Sequence, residues 1–302
     1  MKNTHWIFIF SSIDNEETSE YFLTIDNLLK LNNKNIQLSI ILIDHKKNCY
    51  HFKNENSLEY TKNWKLCLKK EYNKYKGFNK KLLYCGHSDE FVLGNSDKYW
   101  ISHFEFSKEI NKYYFDLIIA DACFLGSIST LSLYNNCKYI ISTPYYQPGY
   151  HLFFETKYFW NENKSLIIWF EKWCSEWLKK HDNSITNSIV LYSMEHLHRF
   201  QKLLKKYYSL LKFDSSSKIN YYRNTFGYDV KKVLLTTFKK NRKSLHYKKL
   251  LKKYKKMILS SLQKLGKNYL YHIPELTIYE NIPNYPKIKH IKIQPWFKDF
   301  NL

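Results

Sequence analysis

Two residues of this chain pair a nucleophile and a base in matching settings. Cys123 stands in Asp121-Ala122-Cys123-Phe124-Leu125-Gly126, three residues beyond the apolar run Leu117–Ala120. His87 stands in Gly86-His87-Ser88-Asp89, just past a second run, Lys81–Cys85. If these runs are neighbouring parallel strands, both side chains face one crevice beyond the carboxyl ends, where open α/β sheets gather their functional groups. The imidazole can then take the thiol proton or stabilise the thiolate, and later protonate a leaving amine. A helix starting near Ser127 would add its positive end and lower the thiol pKa further.

Taken singly, each signal is weak. A cysteine after an apolar strand is more often a small core residue, and a histidine in a turn is usually polar surface. It is the pair at matching strand ends that carries the reading. Four of the seven glycines, at 86, 94, 126 and 149, fall in this region, where tight turns or close backbone approach call for them.

The elements that would position the pair follow from the hydrophobic pattern. His5–Ser11, Ile36–Ile43, Lys81–Cys85, Phe115–Ala120, Lys138–Ser142 and Ser188–Tyr192 read as strands. Helical patterns separate them at Ser19–Leu31, Ser57–Tyr75, Ser107–Tyr114, Ser127–Tyr134 and Leu166–Lys180, and Glu90–Leu93 with Trp100–Ile101 reads as a small hairpin. Continuously apolar strands alternating with helices require a mostly parallel sheet covered on both faces. Beyond Ser188–Tyr192 the pattern changes. Glu195–Leu211 is an amphipathic helix, residues 230–265 read as a lysine-rich helical stretch, and Leu276–Phe300 holds short β-like pieces broken by Pro283 and Pro286.

Composition sets the outer limits. At 302 residues with 44% hydrophobic and 18% aromatic side chains, the chain has enough apolar surface for a folded body. The net charge of +21 is almost wholly lysine, since arginine occurs only at 199, 223 and 242. An AT-rich coding sequence produces the same lysine, asparagine, isoleucine and tyrosine excess, so a solvated surface accounts for much of it. The field still favours weak association with polyanions, nucleic acid included, at low salt. No interleaved RNA-binding motif accompanies it. The six cysteines form no CxxC pair and no zinc-like spacing. The N-terminal apolar run Trp6–Phe10 is too short for a signal sequence, and no stretch reaches the length of a membrane span. An intracellular, cytoplasmic protein with free thiols is expected, a viral protein in host cytoplasm or virion among the sources such a composition suits.

The Asp121-Ala122-Cys123 segment and His87 resemble the clostripain-like members of the caspase-fold cysteine peptidases, which carry a His-Gly after one strand and an Asp-Ala-Cys after the next. Tyr139–Ser142 with Pro148-Gly149-Tyr150, Ser188–Met194, Leu276–Tyr279 and Trp296–Phe300 are similar to that family's later strands, Pro-Gly loop and closing Trp-x-x-Phe. The resemblance implies a cysteine endopeptidase with Cys123 and His87 as its dyad and the backbone N–H groups of Ser88 and Cys123 as its oxyanion hole. It also implies that Asp121 lies in the primary specificity pocket, favouring cleavage after Lys or Arg of a protein or peptide substrate. The other reading of Asp121 is a turn cap. No metal or cofactor enters the expected chemistry. One departure stands out: the family's His-Gly is His87-Ser88 here. An inactive caspase-fold scaffold or basic binding protein is therefore the alternative.

The expected architecture is α/β, a caspase-like three-layer domain with a mostly parallel six-stranded sheet. Residues 1–215 form the peptidase core, and residues 216–302 form a helical, lysine-rich extension with closing strands packed on it.

Overall fold

Trp6, Phe8 and Phe10 pack into one apolar layer and Ile7 and Ile9 into another, and all five are fully buried. A strand with two apolar faces needs helices on both sides. The structure, a computed structural model, describes residues 3–30, 35–54, 57–61, 63–88, 92–94, 99–123, 125–144, 165–180, 187–220, 226–239, 244–264 and 276–278.

Strand β1 (Thr4–Ser11) is followed by helix α1 (Asn15–Leu29) and strand β2 (Ile36–Ile43). Two short strands come next, β3 (Cys49–Asn54) and β4 (Ser57–Thr61), then α2 (Trp64–Lys74) and β5 (Asn79–Gly86). A hairpin of β6 (Val92–Gly94) and β7 (Tyr99–Ser102) leads into α3 (His103–Ile110) and β8 (Phe115–Asp121). A single helical turn, α4 (Ile128–Leu131), precedes β9 (Cys137–Ser142) and α5 (Leu166–Lys180). After β10 (Asn187–Ser193) and α6 (Met194–Lys206) come β11 (Lys218–Asn220) and β12 (Phe226–Asp229). The described chain ends with α7 (Val230–Thr237), α8 (Leu245–Met257), β13 (Ile258–Lys264) and β14 (Thr277–Ile278).

The main sheet runs β13-β10-β9-β8-β5-β1-β2-β3-β4. Its middle five strands, β9 through β2, are parallel; β10 and β13 at one edge and β3 and β4 at the other are antiparallel. The six strands expected from the sequence are its six contiguous members from β10 to β2. On one face lie α1 and α5, burying Tyr21, Ile25 and Leu28 beside Trp169, Phe170, Trp173 and Trp177. On the other, Leu68 of α2, Phe106 of α3, Leu197 and Phe200 of α6 and Leu250 of α8 form the second layer. Each such side chain contributes about 1.5–3 kcal/mol by leaving water.

Four local expectations are corrected. The stretch Ser57–Tyr75 is not helical from its start: Ser57–Thr61 pairs with β3, and the helix begins only after Asn63, whose side chain accepts the Lys65 and Leu66 amides. The lysine-rich stretch 230–265 is two helices and a strand. Its helical stripe of Tyr247, Leu250, Tyr254 and Met257 ends there, and Ile258–Lys264 pairs with β10, covering an edge that would otherwise be open. Helix α1 begins at Asn15, not Ser19, because Asp14 accepts the Glu17 amide at 2.9 Å. The helix expected over Ser127–Tyr134 is the four-residue turn α4. Of the tail, Thr277 and Ile278 pair with Asp229 and Tyr228 in a small sheet, whereas Trp296–Phe300 and Pro148-Gly149-Tyr150 lie outside the described residues.

Candidate active site

Strands β5 and β8 are parallel neighbours, registered from Lys81 with Leu117 to Cys85 with Asp121. His87 and Cys123 each follow two residues beyond that last pair. Strand spacing of about 4.8 Å in the hydrogen-bonding direction therefore sets the scale on which the two chain segments leave the sheet. His87 is about half exposed, at 48%, and Cys123 is partly exposed. The other five thiols are buried. Burial pushes Cys85, Cys137 and Cys174 up, and the charge of Asp121 adds to the effect at Cys85 and Cys174.

Gly86 makes the turn that carries His87. Its φ is +153°, and a Cβ there would lie 2.5 Å from the Ser11 carbonyl oxygen, so β1 and the turn approach too closely for any side chain. The turn is then tied from below. The buried Tyr84 hydroxyl donates to the His87 carbonyl at 2.9 Å, so the Ser11 hydroxyl, 2.7 Å away, donates to the Tyr84 oxygen. The Gly94 N–H donates to the same His87 carbonyl at 2.8 Å. On the imidazole side, Nε2 lies 3.5 Å from Oε1 of Glu17, a residue in the first turn of α1.

Ser88 is buried and forms an isolated antiparallel bridge with Leu93. Because the bond of this bridge runs from Gly94 N–H to His87 O, the two bridged residues turn their own amides away from each other. The Ser88 hydroxyl lies 3.1 Å from Nε2 of the fully buried His103 and donates to Val92 O at 3.4 Å. The Ser88 side chain is thus engaged inside the hairpin and α3.

The cysteine loop is held from β9. The Thr143 hydroxyl donates to Ala122 O at 2.8 Å, and the Gly126 N–H donates to Thr143 O at 2.8 Å. A Cβ on Gly126 would meet the Pro144 backbone at 2.5 Å, which is why only glycine fits. Ser127 caps α4 through the Thr130 amide, but one helical turn aligns too few peptides to act on the thiol as a macrodipole, so that expected contribution falls away. Asp121 ends β8 and is completely buried, near Cys85 and Cys174 on the α1/α5 side of the sheet.

Glu17 was missed in the sequence. Its signal was the Asp14-Asn15-Glu16-Glu17 pattern, a capping acid followed three residues later by glutamate, which marks a helix start.

No protein-family model matches the chain, and no curated protein sequence does. Solved structures do. A secreted C11 cysteine protease from Bacteroides thetaiotaomicron, in complex with an irreversible peptide inhibitor, is 14% identical with a TM-score of 0.71 over 98% of both chains. An inactive zymogen C11 protease from Parabacteroides distasonis is 13% identical, TM-score 0.70, over 99% of this chain and 98% of its own. A further secreted C11 protease of B. thetaiotaomicron, iotapain, is 11% identical, TM-score 0.74, over 99% of each. From its first described strand to its last, this chain has the caspase-like fold of the C11, or clostripain-like, cysteine proteases.

Proposed function

We propose that this protein is a cysteine endopeptidase acting through Cys123 and His87. The observation that supports this most is the shared register of the two residues beyond Cys85 and Asp121, on the central strands of a fold found in C11 proteases. The thiolate of Cys123 attacks the scissile carbonyl carbon, and the oxyanion that forms is held by the N–H groups of Ser88 and Cys123. His87 gives its proton to the leaving amine, the C–N bond breaks, and water, deprotonated by His87, hydrolyses the thioester. The direction of the Ser88 amide, away from Leu93, is consistent with that role, and the hydroxyl's partners keep it from competing. Asp121 supplies the carboxylate that selects Lys or Arg before the scissile bond.

The lysines at 248, 249, 252, 255 and 256 are exposed along α8 and support a weak, salt-dependent association with polyanions beside this activity. The six free thiols suit an intracellular, reducing compartment. Among the described residues no helix is long and apolar enough to cross a membrane.

The test is covalent labelling with a peptidyl electrophile carrying Lys or Arg next to its reactive group. One adduct is expected on the wild-type protein, at Cys123, and none on Cys123→Ala. A wild-type protein that takes up no adduct from basic or neutral peptides would favour the inactive scaffold.

A further inference from the structure

Glu17 occupies a position that capping alone does not explain. One carboxylate oxygen, Oε2, accepts the Ile13 N–H at 2.8 Å, and the other, Oε1, accepts the Tyr21 hydroxyl at 2.7 Å. Its backbone N–H donates to Asp14. The side chain is thus anchored at both oxygens and only 14% exposed, and the same Oε1 faces Nε2 of His87 at 3.5 Å. Tyr21 is buried, and its oxygen in turn lies 3.7 Å from the Cys85 thiol, which donates to it. The helix start after β1 and the turn after β5 are therefore joined through one carboxylate. His87 is held by its backbone from β5 and the hairpin, while its exposed ring has one charged neighbour among the described residues.

We propose that Glu17 is the positioning residue of His87: it takes the Nε2 side of the ring and leaves Nδ1 for Cys123. This rests on the dyad reading for its catalytic meaning, but the contact has a physical signature of its own. A fixed carboxylate at Nε2 places the neutral ring's proton on Nε2 and makes Nδ1 the base, the only nitrogen then able to receive the thiol proton. Because the carboxylate is anchored at both oxygens, it carries out this orientation without rearranging.

The experiment follows the His87 ring by NMR in a Cys123→Ala background, where no thiol titrates beside it. With Glu17 present, the neutral ring is expected mainly as the Nε2–H tautomer. Glu17→Gln, which keeps a carbonyl oxygen for the Ile13 amide, should weaken that tautomer preference. In the Cys123 protein the same substitution should lower kcat about 10- to 100-fold with little change in KM. Should Glu17→Gln fail to fold, Glu17→Asp, which keeps a carboxylate but draws it back from Nε2 by one methylene, serves in its place with the same expected direction. A tautomer preference that Glu17→Gln leaves unmoved overturns the inference. A wild-type protein without turnover but with the NMR response intact sinks the peptidase reading and leaves Glu17 as the residue that orients His87.

Discussion

Cys85 and Asp121 are the last registered partners of the two central strands, and His87 and Cys123 each stand two residues beyond them. That places the proposed nucleophile and base in turns, not in the core, and makes a clean prediction. Cys123→Ala and His87→Ala should each abolish turnover while the unfolding midpoint shifts by no more than the equivalent of about 0.5 kcal/mol, as for partly exposed positions with little packing. Peptidase activity surviving in either variant removes the dyad.

Gly126 gives a second, purely steric prediction. A methyl group there meets Pro144 backbone atoms, which cannot swing aside as a side-chain tip would. Gly126→Ala should therefore displace the 122–126 loop, costing about 1–3 kcal/mol and lowering kcat more than the loss of folded protein explains. Thermal unfolding and active-site titration on the one variant check both halves. A variant with wild-type midpoint and rate would show that the loop gives way freely.

How much of this was legible beforehand depended on which force fixes each element. The six inner strands were legible because burial on both faces leaves an unbroken apolar run, as in Ile36–Ile43 and Phe115–Asp121. The edge strands β3, β4 and β13 were not. Cys49–Asn54 alternates with polar residues, and Ile258–Lys264 follows a lysine-rich helix so closely that its period is swallowed by the helical one. His87 and Cys123 could be found because strand ends are marked by the runs before them. Glu17 and His103 could not be placed, since each reaches the site from a helix start by a contact that no spacing encodes: Glu17 to His87 across 70 positions, His103 to Ser88 across a hairpin.

A buried polar chain at the other end of the sheet sets the acid stability. Lys80 donates to Nδ1 of His5 at 3.0 Å, His5 Nε2–H donates to the Ser39 hydroxyl at 2.8 Å, and Ser39 donates to Glu71 at 2.5 Å. Only a neutral His5 fits, because a proton on Nδ1 would face the Lys80 ammonium. Burial, and then the charge of Lys80, holds His5 down at about 3. Burial alone would raise Glu71, but bonds from His51 and Ser39 and the nearby charges of His51 and Lys74 outweigh it and bring that carboxyl to about 2. Both groups bind a proton more readily when unfolded, so their stabilisation is complete above pH 6.5 for His5 and above 4.5 for Glu71, and is lost as the pH falls. Lys80, lowered to about 8 mainly by burial, acts elsewhere, adding stability only as the pH rises from about 8 toward 10.5. The protein should therefore lose about 1–2 kcal/mol between pH 6.5 and 5, with His5 the source. Denaturant unfolding at pH 7, 6 and 5 should show this slope, and His5→Gln should flatten it; a flat wild-type profile counts against the neutral His5.

Asp121 carries the most exposed claim of all, because specificity then depends on one carboxylate that is itself completely buried. A substrate Lys or Arg that reaches it leaves water, and only the carboxylate replaces what the cation loses. Removing one partner of such a desolvated pair costs about 2–5 kcal/mol, or very roughly 30- to several-thousand-fold in kcat/KM. Asp121→Asn, which keeps the shape and removes the charge, should depress cleavage after basic residues by that factor and barely change cleavage after a neutral one. If Asp121 instead only secures the turn between β8 and the cysteine loop, the substitution lowers the unfolding midpoint and both rates fall together. Two kcat/KM values and one midpoint on a single variant separate these accounts. The net charge of +21 adds a long-range repulsion of basic substrates that has nothing to do with the pocket. Repeating the comparison near 1 M salt, where the screening length is about 3 Å, removes that background. A basic-substrate preference that persists there and vanishes in Asp121→Asn belongs to the buried carboxylate; one that is equal in both proteins belongs to some other group.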